Sequence, residues 1–190
     1  VNSWFERSDS QRMLRVMDGK ARAFLSNRYL RLDHLQIAEA VLPIIGEIPD
    51  ARFESCQITE DRMYIKVVNP RLQQEVVPGD IVQAGVIISN SEVGLGSVNI
   101  QPLVYRLVCS NGMVVNDAAT RRNHVGRINS ADENFLLYSA ETLAADDHAF
   151  MLKIQDTVRA AVDERNFSRV VGMMQEAATA KMNTANVPEV

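Results

Sequence analysis

The sequence predicts an α+β fold: a curved antiparallel sheet of long hairpins, an early helix on one face, and a C-terminal helical segment. Three observations predict it. The run from Gly79 to Gly112 holds two apolar-rich segments around a centre of small and polar residues, Ser89 to Ser97, and ends in Asn111-Gly112, a strong hairpin-turn signal. Residues 52–68 are strand-like around a turn at Thr59-Glu60-Asp61. The last sixty residues change to apolar stripes at three- and four-residue spacing, as packed helices require. Hairpins followed by helices segregate into layers.

Taken in order, residues 3–18 place Trp4, Phe5, Met13, Leu14 and Met17 among charges, a weak helical pattern ended by Gly19. Leu32, Leu35, Ile37, Ala38, Val41 and Leu42 make a better helix, with Asp33 as N-cap and Pro43 and Gly46 ending or distorting it. Asn69-Pro70 is expected to close the hairpin of residues 52–68, because the residue before proline avoids the helical region.

In the long hairpin, Val82, Ala84, Val86 and Ile88 share one face by two-residue periodicity. On the return strand Val98, Ile100, Val104 and Val108 share a face, and Leu103, Tyr105 and Leu107 the other, so this strand is expected to be central. Arg106 interrupts an apolar face and needs a partner or open solvent.

Ser130-x-x-Glu133 fits a capping box opening a helix through Phe135, Leu136, Tyr138 and Leu143. Asp146 or Asp147 is expected to cap a second helix carrying Phe150, Met151, Ile154, Val158 and Val162. A break at 166–168 precedes a third helix with Val170, Val171, Met174, Ala177 and Ala178. The domains expected are an α+β core at 1–130 and a helical extension at 131–190, packed on the core or on a neighbouring subunit.

Composition is that of an ordinary globular chain, with 190 residues, 46% hydrophobic and 23% charged. No run of about 18 apolar residues predicts a membrane span, and no secretory leader is recognisable. The first residue is Val, so the numbering is expected to begin inside a longer chain. Cys56 and Cys109 lie far apart with no ligand spacing around them, which fits packed free thiols and a reducing cytoplasm.

The net charge of −4 argues against a general nucleic-acid binder, but its distribution is uneven. Residues 1–35 carry seven Arg/Lys against four Asp/Glu, and residues 101–130 four against one. Residues 36–100 carry four against nine, and residues 131–190 five against ten.

Three motifs bear on chemistry. Asn90-Ser91-Glu92-x-Gly94-x-Gly96 could hold a cation or phosphate, yet it lacks the P-loop Lys-Ser/Thr and the spaced carboxylates of a calcium loop. A widened turn with positive φ at the glycines is the simpler reading. His124, within Arg121-Arg122-Asn123-His124, has no triad signature, and neither His34 nor His148 offers zinc spacing, so a surface or backbone-bonding histidine is expected. The basic set Arg28, Arg31, Arg106, Arg121, Arg122 and Arg127, with Tyr29 and Tyr105, suits phosphate contacts and base stacking. The same arginines could instead pair with the acids of the C-terminal helices.

The chain also resembles a family. Arg22 to Tyr29 with Leu32-Asp33, Asp61 to Ile65, the Asn90-Ser91-Glu92-x-Gly94 tip, Tyr105-Arg106-Leu107-x-Cys109-x-Asn111-Gly112 and Arg121 to Gly126 follow one another in the pattern of phage- and plasmid-related prokaryotic proteins grouped as a domain of unknown function. The resemblance implies a mobile-element context and no agreed catalytic residues. At fold level the hairpins-then-helix order is similar to single-strand-annealing recombination proteins, which form oligomeric rings or filaments with a basic groove; no annealing-family motif occurs here.

The expectation is therefore a non-enzymatic homo-oligomer binding single-stranded DNA through Arg28, Tyr29, Arg31, Tyr105, Arg106, Arg121, Arg122 and Arg127, with no cofactor, no metal and no membrane. The alternative is a structural or regulatory oligomer that binds protein partners, for instance against host defence. A metal-dependent nuclease or another enzyme comes third, and a convergent Asp/Glu cluster around Glu92 or Asp117 would favour it.

Overall fold

The computed structural model describes residues 12–26, 29–107, 112–114, 119–124 and 139–180. Among the described residues eight strands and three helices run in the order β1 (Arg12–Met17), β2 (Lys20–Ser26), α1 (His34–Gly46), β3 (Arg52–Ile58), β4 (Met63–Glu75), β5 (Ile81–Asn90), β6 (Val98–Arg106), β7 (Gly112–Val114), β8 (Thr120–Arg122), α2 (Ala140–Ala161) and α3 (Glu164–Thr179). The class is α+β, as the sequence predicts. Strands β3 to β6 form an antiparallel meander, and both β7 and β8 pair along the outer edge of β6. The two act as one interrupted edge strand, so β6 is central, as its two apolar faces require.

The turns follow their side chains. Between β3 and β4, Thr59 Oγ1 accepts from the N–H groups of Asp61 (3.3 Å) and Arg62 (3.1 Å), a hydroxyl-stabilised turn. Asn69-Pro70 does not close this hairpin. β4 runs on to Glu75, and pairing with β5 jumps from Asn69↔Ala84 to Gln73↔Gln83. Pro70 has no N–H to give a ladder, and a bulge removes the need for one. Asn69 Oδ1 accepts from Arg71 N at 3.1 Å inside it.

One face of the sheet carries the core. Met63, Ile65, Val67, Val86, Ile88, Val98 and Ile100 pack against Ile37, Val41, Ile44 and Ile45 of α1 and Phe150, Ile154 and Val158 of α2. Val76, Val82, Ala84 and Val104 continue that face under Phe167 and Val171 of α3. The inferred facing of Val82 through Ile88 and of Val98, Ile100 and Val104 is thus what the core uses. Leu103 and Tyr105 turn to the other face with Val68.

α1 starts after Asp33, whose N–H donates to Gln36 Oε1 at 3.0 Å, and ends at Gly46, as expected, running through Pro43 while buried Ile44 and Ile45 hold the last turn on the core. The other two helices depart from the sequence reading at their ends. α2 is capped by Ser139, whose hydroxyl accepts from Thr142 N at 3.2 Å, and not by Asp146 or Asp147, which lie inside it. The break falls at Val162–Asp163, where Asp163 caps α3 by accepting from Asn166 N at 3.1 Å, and not at 166–168. The expected helix opening at Ser130 lies outside the described residues. No helix among the described residues is long and apolar enough to cross a membrane.

The largest correction is at the start. Residues 12–17 form a strand and not a helix, turning at Asp18-Gly19 into β2 with Leu14 opposite Phe24 and Arg15 opposite Ala23. Among the described residues this hairpin pairs with no other strand. Its polarity is inverted. Leu14, Val16 and Phe24 are each more than half exposed, whereas the side chains of Arg15 and Arg22 are only 15% and 13% exposed.

Candidate functional site

The β5–β6 tip is built by Ser91 and Gly94. Ser91 Oγ donates to Asp61 O at 2.9 Å and accepts from Leu95 N at 3.1 Å, which folds the loop against the β3–β4 turn. Gly94 has φ +81°, a left-handed conformation, and a Cβ there would lie 2.9 Å from Leu25 of β2. Gly96 does not adopt positive φ.

Glu92, on the same loop, binds three elements at once. Its Oε1 accepts from His34 N at 2.6 Å, at the N-terminus of α1, where the unpaired N–H groups and the helix dipole favour a negative charge. Its Oε2 lies 3.2 Å from Arg15 Nη2 and 3.4 Å from Arg22 Nη1. Arg15 also meets Asp33 at 2.7 Å. The arginines facing inward from β1 and β2 therefore fasten that hairpin to the body of the protein. This is a docking role for Glu92. Among the described residues no group of three or more His, Cys, Asp and Glu side chains is placed to hold a metal ion.

Behind Glu92 runs a buried polar chain. Asn90 Nδ2 donates to Leu32 O and to His34 Nδ1, both at 3.0 Å, and Asn90 Oδ1 lies 3.0 Å from His124 Nε2. His124 Nδ1 lies 2.9 Å from Leu30 O, and Leu30 N donates back to His124 O at 3.1 Å. The expected backbone-bonding histidine is thus found, but buried. Tyr29 stacks on it with ring centroids 4.9 Å apart and donates its hydroxyl to Ser91 O at 3.0 Å. Burial lowers the pKa of His124, with Arg15 and Arg122 adding to the effect and the Leu30 carbonyl opposing it. Burial likewise lowers that of His34, against the pull of Glu92.

Beside this chain lies an open groove of about 470 Å³, lined by Leu25, Tyr29, Gly94–Ser97, Arg121, Asn123 and His124. Three segments singled out in the sequence meet there: the residues before α1, the hairpin tip, and the run after β7. Arg121 donates its Nε to Ser97 Oγ at 3.0 Å and keeps its terminal nitrogens clear of any acid among the described residues.

The other expected site residues are dispersed. Arg122 turns to the helix face, where it pairs with Asp146 and Asp147 of α2 and lies 4.8 Å over the Phe150 ring. Arg31 pairs with Asp33 at 3.2 Å. At the far end of β6, Arg106 pairs with Asp80 at 2.9 Å, and Tyr105 is buried, donating to Glu54 Oε2 at 3.2 Å. Tyr105 therefore presents no ring for base stacking. Arg28 and Arg127 lie outside the described residues, as do Cys109 and Asp117; Cys56 is a free, exposed thiol. Sequence reasoning named Asn90 in the tip motif and His34 as lacking zinc spacing without giving either its place in this chain, and it missed Arg15, which the helical pattern read over residues 3–18 concealed.

The family model described as a domain of unknown function, DUF932, matches residues 23–187, and the chain belongs to that family. No match was found among curated proteins or among solved structures.

Proposed function

We propose that this protein binds single-stranded DNA in the groove between the β5–β6 tip and β8, without catalysing a reaction, and does so as a homo-oligomer serving mobile-element DNA metabolism. One observation carries the reading: three motif segments distant in sequence converge on an open groove whose guanidinium, Arg121, is spent on no carboxylate among the described residues. A planar guanidinium with free N–H groups is a phosphate ligand, and Asn123 and Ser97 add polar contacts of the kind that backbone or base edges accept. The set is smaller than the sequence alone suggests, since Arg122, Arg106 and Tyr105 serve the fold.

Self-association rests on the inverted hairpin. An isolated two-stranded ribbon is marginal in water, and one with Leu14, Val16 and Phe24 outward gains by burying them against a second copy. The same exposed face supports the alternative reading, an oligomer that binds protein and no nucleic acid. Fluorescence anisotropy of labelled oligothymidylate at low salt, against a duplex of equal length, tests the proposal. Preference for the single strand supports it. No binding by the folded oligomer favours the alternative.

A further inference from the structure

We propose that ligand binding in this groove is linked to uptake of one proton at His124, so that the site grips its anionic ligand more tightly as pH falls. The inference rests on the groove reading and concerns its regulation.

Donor and acceptor accounting along the buried chain carries it. The Leu32 carbonyl can only accept, so the Asn90 atom 3.0 Å from it must be the amide nitrogen. The amide oxygen then faces His124 Nε2, and that nitrogen can bond it only by donating. On the opposite side of the ring, Nδ1 faces the Leu30 carbonyl and must donate as well. Both contacts are satisfied together only by the imidazolium. In neutral His124 one of them sets a lone pair against an oxygen. Turning the Asn90 amide over would not relieve this, because it would press the amide oxygen on Leu32 O and require a proton on His34 Nδ1. His34, whose Nδ1 accepts from Asn90, is held neutral by the present arrangement.

What opposes protonation in the free protein is charge as well as burial. Arg15 from β1 and Arg122 from β8 act on His124, and Arg121 shares its groove. The nearby carboxylates, Glu92 and Asp33, are already engaged by Arg15, Arg22 and Arg31. An anionic ligand lying along Arg121 supplies the missing counter-charge. It stabilises the imidazolium, completes both hydrogen bonds, and tightens the clamp between Leu30 and His124 that holds Tyr29 in the groove wall.

The test is calorimetric titration of the full chain with oligothymidylate at fixed salt, in buffers of different ionisation enthalpy, from pH 8 to pH 5.5. The nitrogen chemical shifts of His124 are read in the free and bound protein. Expected is uptake approaching one proton, affinity rising about tenfold per pH unit over the linked window, and a His124 ring doubly protonated only when bound. His124→Gln, which carries no titrating ring, should lose the proton uptake and flatten the pH dependence. Binding without proton uptake, with His124 neutral in the complex, overturns the linkage and leaves the groove reading standing. A folded protein that binds no oligonucleotide at any of these pH values overturns both.

Discussion

Arg121 and Arg122 are neighbours on β8 and point to opposite sides of the sheet. Their registers explain it: Arg121 pairs with Asn99 and Arg122 with Val98, so one guanidinium reaches Ser97 in the groove and the other enters the helix layer. Strand alternation thus divides one basic motif into a candidate ligand contact and a structural clamp. Arg122→Ala removes two ion pairs and a cation–π contact and should cost about 1–2 kcal/mol in a urea titration. Arg121→Ala should leave the urea midpoint unchanged. Equal losses in the two variants would refute the division.

Glu92 invites a different experiment. Glu92→Gln keeps an acceptor for the N-terminus of α1 but withdraws the charge that holds Arg15 and Arg22. Stability should fall by about 1–3 kcal/mol, and limited proteolysis should cut faster at the Asp18-Gly19 turn. Unchanged cutting at that turn would mean that the hairpin is fastened by something other than Glu92.

Acid should weaken the fold. His34 and His124 both have lowered pKa values in the folded state, chiefly through burial, so the unfolded chain binds protons more readily. Their contribution is complete above the unfolded value of about 6.5 and is lost as pH falls from there toward the folded values, at up to about 1.4 kcal/mol per pH unit for each group. Urea midpoints measured between pH 7.5 and pH 5 read this directly. A flat profile across that window would contradict the buried, neutral assignment.

Gly85 sits where β5 passes β4 closely, and a Cβ there would fall 2.4 Å from the Val67 carbonyl oxygen. Backbone cannot step aside as a side chain can. Gly85→Ala should therefore destabilise by about 2–4 kcal/mol, visible as a lowered thermal midpoint by circular dichroism. A midpoint unchanged by this substitution would show that β4 and β5 pack less closely than the register states.

The fold was legible wherever a two-residue or helical period ran uninterrupted. Val82 to Ile88 and Val98 to Val104 announce their faces, and Thr59-Glu60-Asp61 its turn. The reading failed where burial and pattern part company. Residues 12–17 do not alternate in polarity, and Leu14 and Val16 face solvent while Arg15 faces inward, so no amphipathic rule identifies the strand. Pro70 reads as an end because a bulge leaves no composition signature of its own. At the site, Arg121 and Tyr29 were legible as residue types. Asn90, His34 and Glu92 acquire their roles only when α1, β5 and the hairpin tip are brought together, which involves partners 58 and 56 residues apart.

The most direct test of the DNA-binding claim is the salt dependence of oligothymidylate affinity for the intact chain and for Arg121→Ala. The account predicts a steep decline of log affinity with log salt in the intact protein. In the variant it predicts weaker binding and a slope smaller by about 0.7, one phosphate contact on a single strand. Identical affinity and slope in the two proteins would contradict it.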